Sequence, residues 1–217
     1  MSTACRSSPL TVAASRGALS PQLATLLALQ RAEEPETLVM LVEAQPEVIL
    51  AGLTNGRYDL GITWTASTEL PLSIQPLWQD ELAVAVPTRS PLLAYSTISP
   101  EQLVRQPLFY WCPEDCEVLK LRADGLSTAT SFALMAVYVA AGYGLGIAPR
   151  SRIAQARGLG IVMRPLTGGP HRIQTDLVRP VGFADPATER FAMRACRVAE
   201  SVDPLVTSPS AQHGTPP

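Results

Sequence analysis

Thr37-Leu-Val-Met-Leu-Val-Glu43, Ala44, Gln45-Pro46-Glu-Val-Ile-Leu-Ala-Gly-Leu-Thr-Asn55-Gly56, Arg57 and Tyr58-Asp-Leu-Gly-Ile-Thr-Trp64 form the stretch on which the fold turns. Thr37 to Glu43 is apolar without alternation, the pattern of a strand buried on both faces as in a parallel sheet. Gln45-Pro46 then opens a helix, because the first helical position has no amide bond for proline to remove. Val48, Ile49, Ala51 and Leu53 give that helix an apolar face, and Asn55-Gly56 closes it where a positive φ is needed. Tyr58 to Trp64 reads as a second short apolar strand. Upstream, Leu10-Thr-Val-Ala-Ala14 is a strand that runs into Ser15-Arg16-Gly17. Ser20-Pro21 opens a helix carrying Leu23, Leu26, Leu27 and Gln30, which ends before Pro35. Residues 10–64 therefore read strand–helix–strand–helix–strand. Right-handed crossovers make that a parallel sheet whose strand C-termini share one rim. Ser15, Arg16, Gln45 and Thr63 follow or end those strands, so they converge where such sheets bind ligands.

Composition narrows the function. The 217 residues are 47% hydrophobic and 17% charged, with a net charge of −2. A nucleic-acid binder needs a basic face to displace counterions, and this balance supplies none. Twenty prolines exceed the average usage of about 5% and punctuate many short elements, which argues against a long bundle. Cys5, Cys112, Cys116 and Cys196 are too few and scattered for a disulfide scaffold, and reduced cytosolic thiols are expected. Cys112-Pro-Glu-Asp-Cys116 lacks the second Cys or His pair of a zinc site; neighbouring thiols of this kind can also couple on oxidation. Leu10 to Ala14 is too short for a signal sequence, so a cytoplasmic protein is expected. Ser127 to Pro149 carries no charge over 23 residues, but Gly142, Gly144, Gly146 and Pro149 break it into helix, turn and buried strand. No nucleophile elbow, P-loop or dinucleotide fingerprint occurs, and neither His171 nor His213 has a partner in sequence. A non-enzymatic protein without metal or cofactor is expected.

Further on, Leu72 to Gln75 and Glu81 to Val86 read as extended, and Pro87 to Pro91 as a crossing into another lobe. Ser99-Pro100 opens a short helix. Leu108 to Trp111 is a strand, Ser127 to Thr130 extends into a helix from Ser131-Phe132 to Ala141, and Gly144 to Ile147 is a strand. The crossing back falls near 150–160. Ile161 to Leu166 and Arg172 to Val178 then return to the first lobe, and Pro186 to Glu200 is a terminal helix.

The order and spacing of these pieces resemble the C-terminal effector-binding domain of LysR-type transcriptional regulators. The resemblance rests on Gln30-Arg-Ala-Glu-Glu-Pro35, Val39 to Glu43, Gly56-Arg-Tyr-Asp-Leu-Gly-Ile62 and Glu81-Leu-Ala-Val-Ala-Val-Pro87 with Ser90-Pro-Leu92. It continues through Val139-Ala-Ala-Gly-Tyr-Gly-Leu-Gly-Ile-Ala-Pro149, Arg164-Pro-Leu166 and Leu177-Val-Arg-Pro180. It implies an α/β fold of two Rossmann-like lobes, similar to type 2 periplasmic binding proteins, with an effector in the cleft between them. On this resemblance the chain is expected to start at the first sensor strand, without the winged helix-turn-helix such regulators carry. The expected division is a disordered start (1–8), lobe I (9–87 and 158–202), lobe II (88–157) and a disordered tail (203–217). Crossovers are expected near Pro87 and near Pro149 to Arg157. Lobe II is expected to be short, because only Glu117 to Arg122 stands where the family has a full helix.

The resemblance makes Ser15, Arg16, Gln45, Thr63, Trp64, Trp111, Thr130 and Ser131 the effector-binding candidates. Ser15 and Arg16 either hold an effector carboxylate or cap a turn and face solvent. Gln45 and Ser131 either contact ligand or cap helices, and Trp64 and Trp111 either stack on ligand or fill the core. The implied partners are a small-molecule effector, such as an organic acid, and a second copy in an antiparallel homodimer touched by the Leu23–Leu27 helix. No direct nucleic-acid or membrane contact is expected. Two rival readings stand beside this one: a solute-binding protein of the same fold, and a dimerisation module that has lost its ligand.

Overall fold

The computed structural model describes residues 9–64, 70–113, 118–119, 126–182 and 185–202, with Arg157 and Val202 described in backbone only. The expectations for the two termini, for Cys5, Cys116 and His213, and for most of Glu117 to Arg122 lie outside these residues. The length of lobe II, which turns on that last segment, lies outside them as well.

The first half folds as its sequence predicts. Strand β1 (Leu10–Ala14) lies between β2 (Val39–Glu43) and β3 (Leu60–Trp64), parallel to both. Helix α1 (Pro21–Glu33) begins at Ser20, whose Oγ accepts the Leu23 amide at 3.3 Å. It buries Leu23, Leu26 and Gln30. Helix α2 (Pro46–Thr54) ends at Gly56, whose φ of 74° is readily available only to glycine. One expectation fails here. Strand β2 is not buried on both faces: Met40 is 47% exposed, Leu41 41% and the preceding Leu38 65%. Returning the chain on both sides of β1 leaves β2 at the sheet edge. An apolar run without alternation reports a lack of polar residues, not which neighbour covers them.

The second half is organised by β4 (Leu72–Pro87), a single strand of 16 residues. It contains both expected extended segments, with a register irregularity between Pro76 and Trp78. Its first part, through Glu81, pairs antiparallel with β9 (Arg172–Pro180), which in turn pairs with β3. From Leu82 onward it pairs with β7 (Leu145–Pro149) and β8 (Ile161–Pro165). Strand β5 (Leu108–Tyr110) is parallel to β7 and to β6 (Leu126–Thr128). The sheet path is β2-β1-β3-β9-β4-β7-β5-β6, with β8 on β4. Helices α3 (Pro100–Leu103), α4 (Phe132–Ala140), α5 (Arg150–Gln155) and α6 (Pro186–Val202) complete the chain.

Within β4 the partner changes from β9 to β7 and β8 at Glu81–Leu82, and Pro87 ends the strand. Strand β8 pairs with Ala83–Pro87 and not with β3 or β9. The chain passes from β8 to β9 through 166–171, where the Leu82 amide donates to the His171 carbonyl at 2.8 Å. Residues 150–160 hold α5 and a 3-10 turn at Arg157–Leu159. A strand this long can serve two sheets in succession, so no loop is needed at the change. No helix of the described residues is long and apolar enough to cross a membrane.

Candidate functional site

Each sheet contributes the C-terminal ends of its parallel strands. From the first come Ser15 and Arg16 after β1, Glu43 at the end of β2 with Gln45 beyond it, and Trp64 at the end of β3. From the second come Trp111 after β5, Thr130 and Ser131 after β6, and Arg150 to Arg152 after β7.

Arg16 joins the two sets. Its Nη1 donates to the carbonyl oxygens of Thr130 at 3.0 Å and Trp111 at 3.5 Å, and its Nε to Glu43 at 3.4 Å. Arg152 reaches back the other way: its Nη2 donates to the Leu19 carbonyl at 2.6 Å, and its guanidinium lies 5.3 Å from the Trp111 ring centroid. Burial pulls the Arg152 guanidinium below its ordinary pKa, while the charges of Cys112 and Glu43 act in the opposite sense. Trp111 also meets Phe132 edge-on at 6.0 Å.

Three buried donors at these walls have no hydrogen-bond partner among the described residues: Ser15 Oγ, Trp78 Nε1 and Trp111 Nε1. Buried polar groups are nearly always paired, so this concentration marks a place suited to an acceptor. Asp80 nearby is already engaged, accepting from Ser151 Oγ and from the Glu81 amide. Between Gly17, Trp64, Trp78, Asp80, Arg152 and Thr175 is a narrow space of only about 20 Å³. A wider hollow of about 590 Å³ lies at the opposite strand ends, lined by Thr88, Arg89, Gln106, Gly142 and Gly144 among others. Among the described residues no buried unpaired donor lines it, so the rim carries the stronger chemical signal.

The candidates divide. Ser15, Arg16, Trp111 and Thr130 are brought together, although Thr130 contributes its carbonyl. Ser131 caps α4, its Oγ accepting the Leu134 amide at 3.2 Å. Gln45 stands at the start of α2 and is exposed, with no side-chain capping bond. Thr63 is fully buried, and its hydroxyl is 3.5 Å from the Trp64 carbonyl. Trp64 packs on Gly17 so closely that a Cβ there would lie 2.5 Å from its ring. Sequence reasoning missed Arg152, Glu43 and Trp78. The rule that found Ser15 would have found Arg152 had it been applied to the strand ending at Pro149.

The profile of the LysR substrate binding domain matches residues 6–196. The chain belongs to the LysR substrate-binding family. Solved relatives agree on the fold of this LysR domain. Full-length BenM with an E226K substitution superposes with a TM-score of 0.81 at 16% identity, covering 92% of this chain and 70% of that one. The reduced form of OxyR from N. meningitidis gives 0.77 at 18% identity, over 88% and 95% of the two chains. The effector-binding domain of QuiR in complex with shikimate gives 0.76 at 16%, over 89% and 98%. No curated protein sequence matches the chain. The similarity to these LysR effector-binding domains confirms the two-lobed fold of periplasmic-binding-protein type.

Proposed function

We propose that this LysR domain is a cytoplasmic, non-enzymatic sensor of a small organic acid, bound between the lobes and coupled to the geometry of a homodimer. On this reading lobe I is the β1–β3 and β9 side, lobe II is the β5–β8 side, and both are threaded by β4. The observation that carries it is the cluster of unpaired buried donors beside two arginines at the facing rims. Ser15, Trp111 and Trp78 offer three donors to an acceptor, and Arg16 and Arg152 offer charge-assisted ones, a set suited to carboxylate oxygens. Thr63, Gln45, Thr130 and Ser131 are proposed as surrounding contacts. Differential binding to two arrangements of the lobes would bias the dimer.

A thermal-shift screen of small carboxylates, aromatic acids and amino acids tests it. A ligand at a hundred times its Kd is expected to raise the melting temperature by about 5–10 °C for a chain of this size. A panel of acids that leaves the melt unmoved would sink the acid-sensor reading.

A further inference from the structure

We propose that Arg16 and Arg152 form a reciprocal clasp on Trp111 that holds the two lobes together, so that a ligand enters only by breaking it. This rests on the proposed site but concerns its regulation. Each arginine starts on one lobe and spends its donors on main-chain carbonyls of the other. Arg16, after β1, reaches the Thr130 and Trp111 carbonyls at 3.0 and 3.5 Å. Arg152, on α5, reaches the Leu19 carbonyl at 2.6 Å and covers the Trp111 ring. Glu43 steadies Arg16 from its own lobe through Nε. Main-chain carbonyls cannot be removed by substitution and do not titrate, so the acceptors of this join are fixed by the fold.

The space beside the clasp decides what it does. At about 20 Å³ it holds one or two waters and no organic acid. That space, lined by Gly17, Trp64, Trp78 and Arg152, has no room for an effector carboxylate while the lobes are joined. The carboxylate gains access to the unpaired Ser15 and Trp111 donors only as the lobes part and a guanidinium leaves its carbonyls. The released carbonyls of Trp111 and Thr130 then need donors, which a hydroxyl or amino group on the ligand can supply. Binding and unclasping become one event.

Acrylamide quenching of tryptophan emission reads the clasp. The chain's three tryptophans, Trp64, Trp78 and Trp111, all flank these walls and are 6%, 3% and 3% exposed. In the full chain without added ligand, Arg16→Ala is expected to raise the quenching constant about twofold or more, by shifting population toward parted lobes. Arg16→Lys should fall between, since an ammonium cannot span Glu43 and two carbonyls at once. Glu43→Gln, which weakens the anchor and leaves both arginines in place, should give a smaller rise and serves if Arg16→Ala fails to melt cooperatively. Arg57→Ala, at an arginine that lies over Tyr58 on α2's side of the sheet, is expected to match the parent chain. Unchanged quenching in every folded variant at Arg16 and Glu43, or an equal rise in Arg57→Ala, overturns the clasp. No acid enters this measurement. A chain that binds acids without these changes loses the clasp alone, and one that shows them without binding acids loses only the sensor reading.

Discussion

Ser15 is buried to 1% exposure, and its hydroxyl finds no partner among the described residues. A residue held that way contributes little to stability, because removing an unsatisfied hydroxyl restores no lost bond. Ser15→Ala is therefore expected to leave the urea midpoint unchanged or slightly raised, while removing most of the melting shift produced by a bound acid. Loss of stability with intact acid response would show a structural hydroxyl instead. Ser131 makes the opposite case: its oxygen already accepts an amide of α4, and Ser131→Ala should cost about 1 kcal/mol by denaturation. Gly17 is constrained by space. A methyl group there meets the Trp64 ring at 2.5 Å, so Gly17→Ala is expected to destabilise by about 1–3 kcal/mol, read as a lower urea midpoint at unchanged slope. Ser15 and Arg16 were legible in the sequence because they follow a strand of a parallel sheet. Trp64 is ambiguous there, since a ring at a strand end serves core and ligand equally, and its close packing on Gly17 could not be read from the pattern.

Helices α1 and α6 are joined by ions that no local pattern announces. Arg194, 6% exposed, donates to Glu33, Glu34 and Gln30, and Arg190 pairs with Glu34 and Arg197 with Glu33. The partners lie about 160 positions apart in sequence, which is why Gln30 to Glu34 could be read as a helix end but not as a clamp. Caps were legible for the converse reason: Ser20, Ser99 and Ser131 act within three residues of themselves. Burial works to raise the Glu34 pKa, but hydrogen bonds from Gln30, Arg190 and Arg194 outweigh it, so the carboxyl sits below its ordinary 4.5. A depressed folded value means that the stabilisation is fully present above pH 4.5 and is lost as pH falls through the lower, folded value. Arg194→Ala takes from Glu34 one of its two arginines, leaving Arg190, and is expected to cost about 3 kcal/mol near neutrality. Its acid unfolding should begin at higher pH than in the parent chain, because less stability remains to be lost, and the gap between the two proteins should narrow as pH falls through the folded Glu34 value, where the parent loses that contribution. Coincident acid limbs in the two proteins would show that Glu34 is held by Gln30 and Arg190 alone.

At the scale of the whole molecule, two apolar faces stand exposed among the described residues, one along β2 and one on α4. On the first lobe they are Leu38, Met40 and Leu41 along the edge strand β2, with Val48 at 43% exposure nearby on α2. On the second lobe Leu134, Val137 and Tyr138 stand out from α4, and Tyr143 follows at 66%. An open, apolar strand edge invites association, and a chain that keeps one must have it covered. The helix α1 expected to meet a partner keeps Leu23 and Leu26 in its own core, leaving β2 as the greasier part of that lobe's surface. Antiparallel pairing about a two-fold axis would place the β2 side of one copy on α4 of the other, twice, and bury both faces at once. Breaking either face then breaks both contacts. Val137→Glu, on the exposed side of α4 at 58%, and Met40→Lys, on β2, should each turn a dimer into a monomer in sedimentation without lowering the chain's own unfolding midpoint at low concentration. In their mixture one of the two contacts stays native and glutamate opposes lysine across the other, so the two variants are expected to pair with each other. Recovery of a heterodimer from the mixed variants, with neither variant dimerising alone, is the sharpest expected result, and two dimeric single variants would place the interface elsewhere.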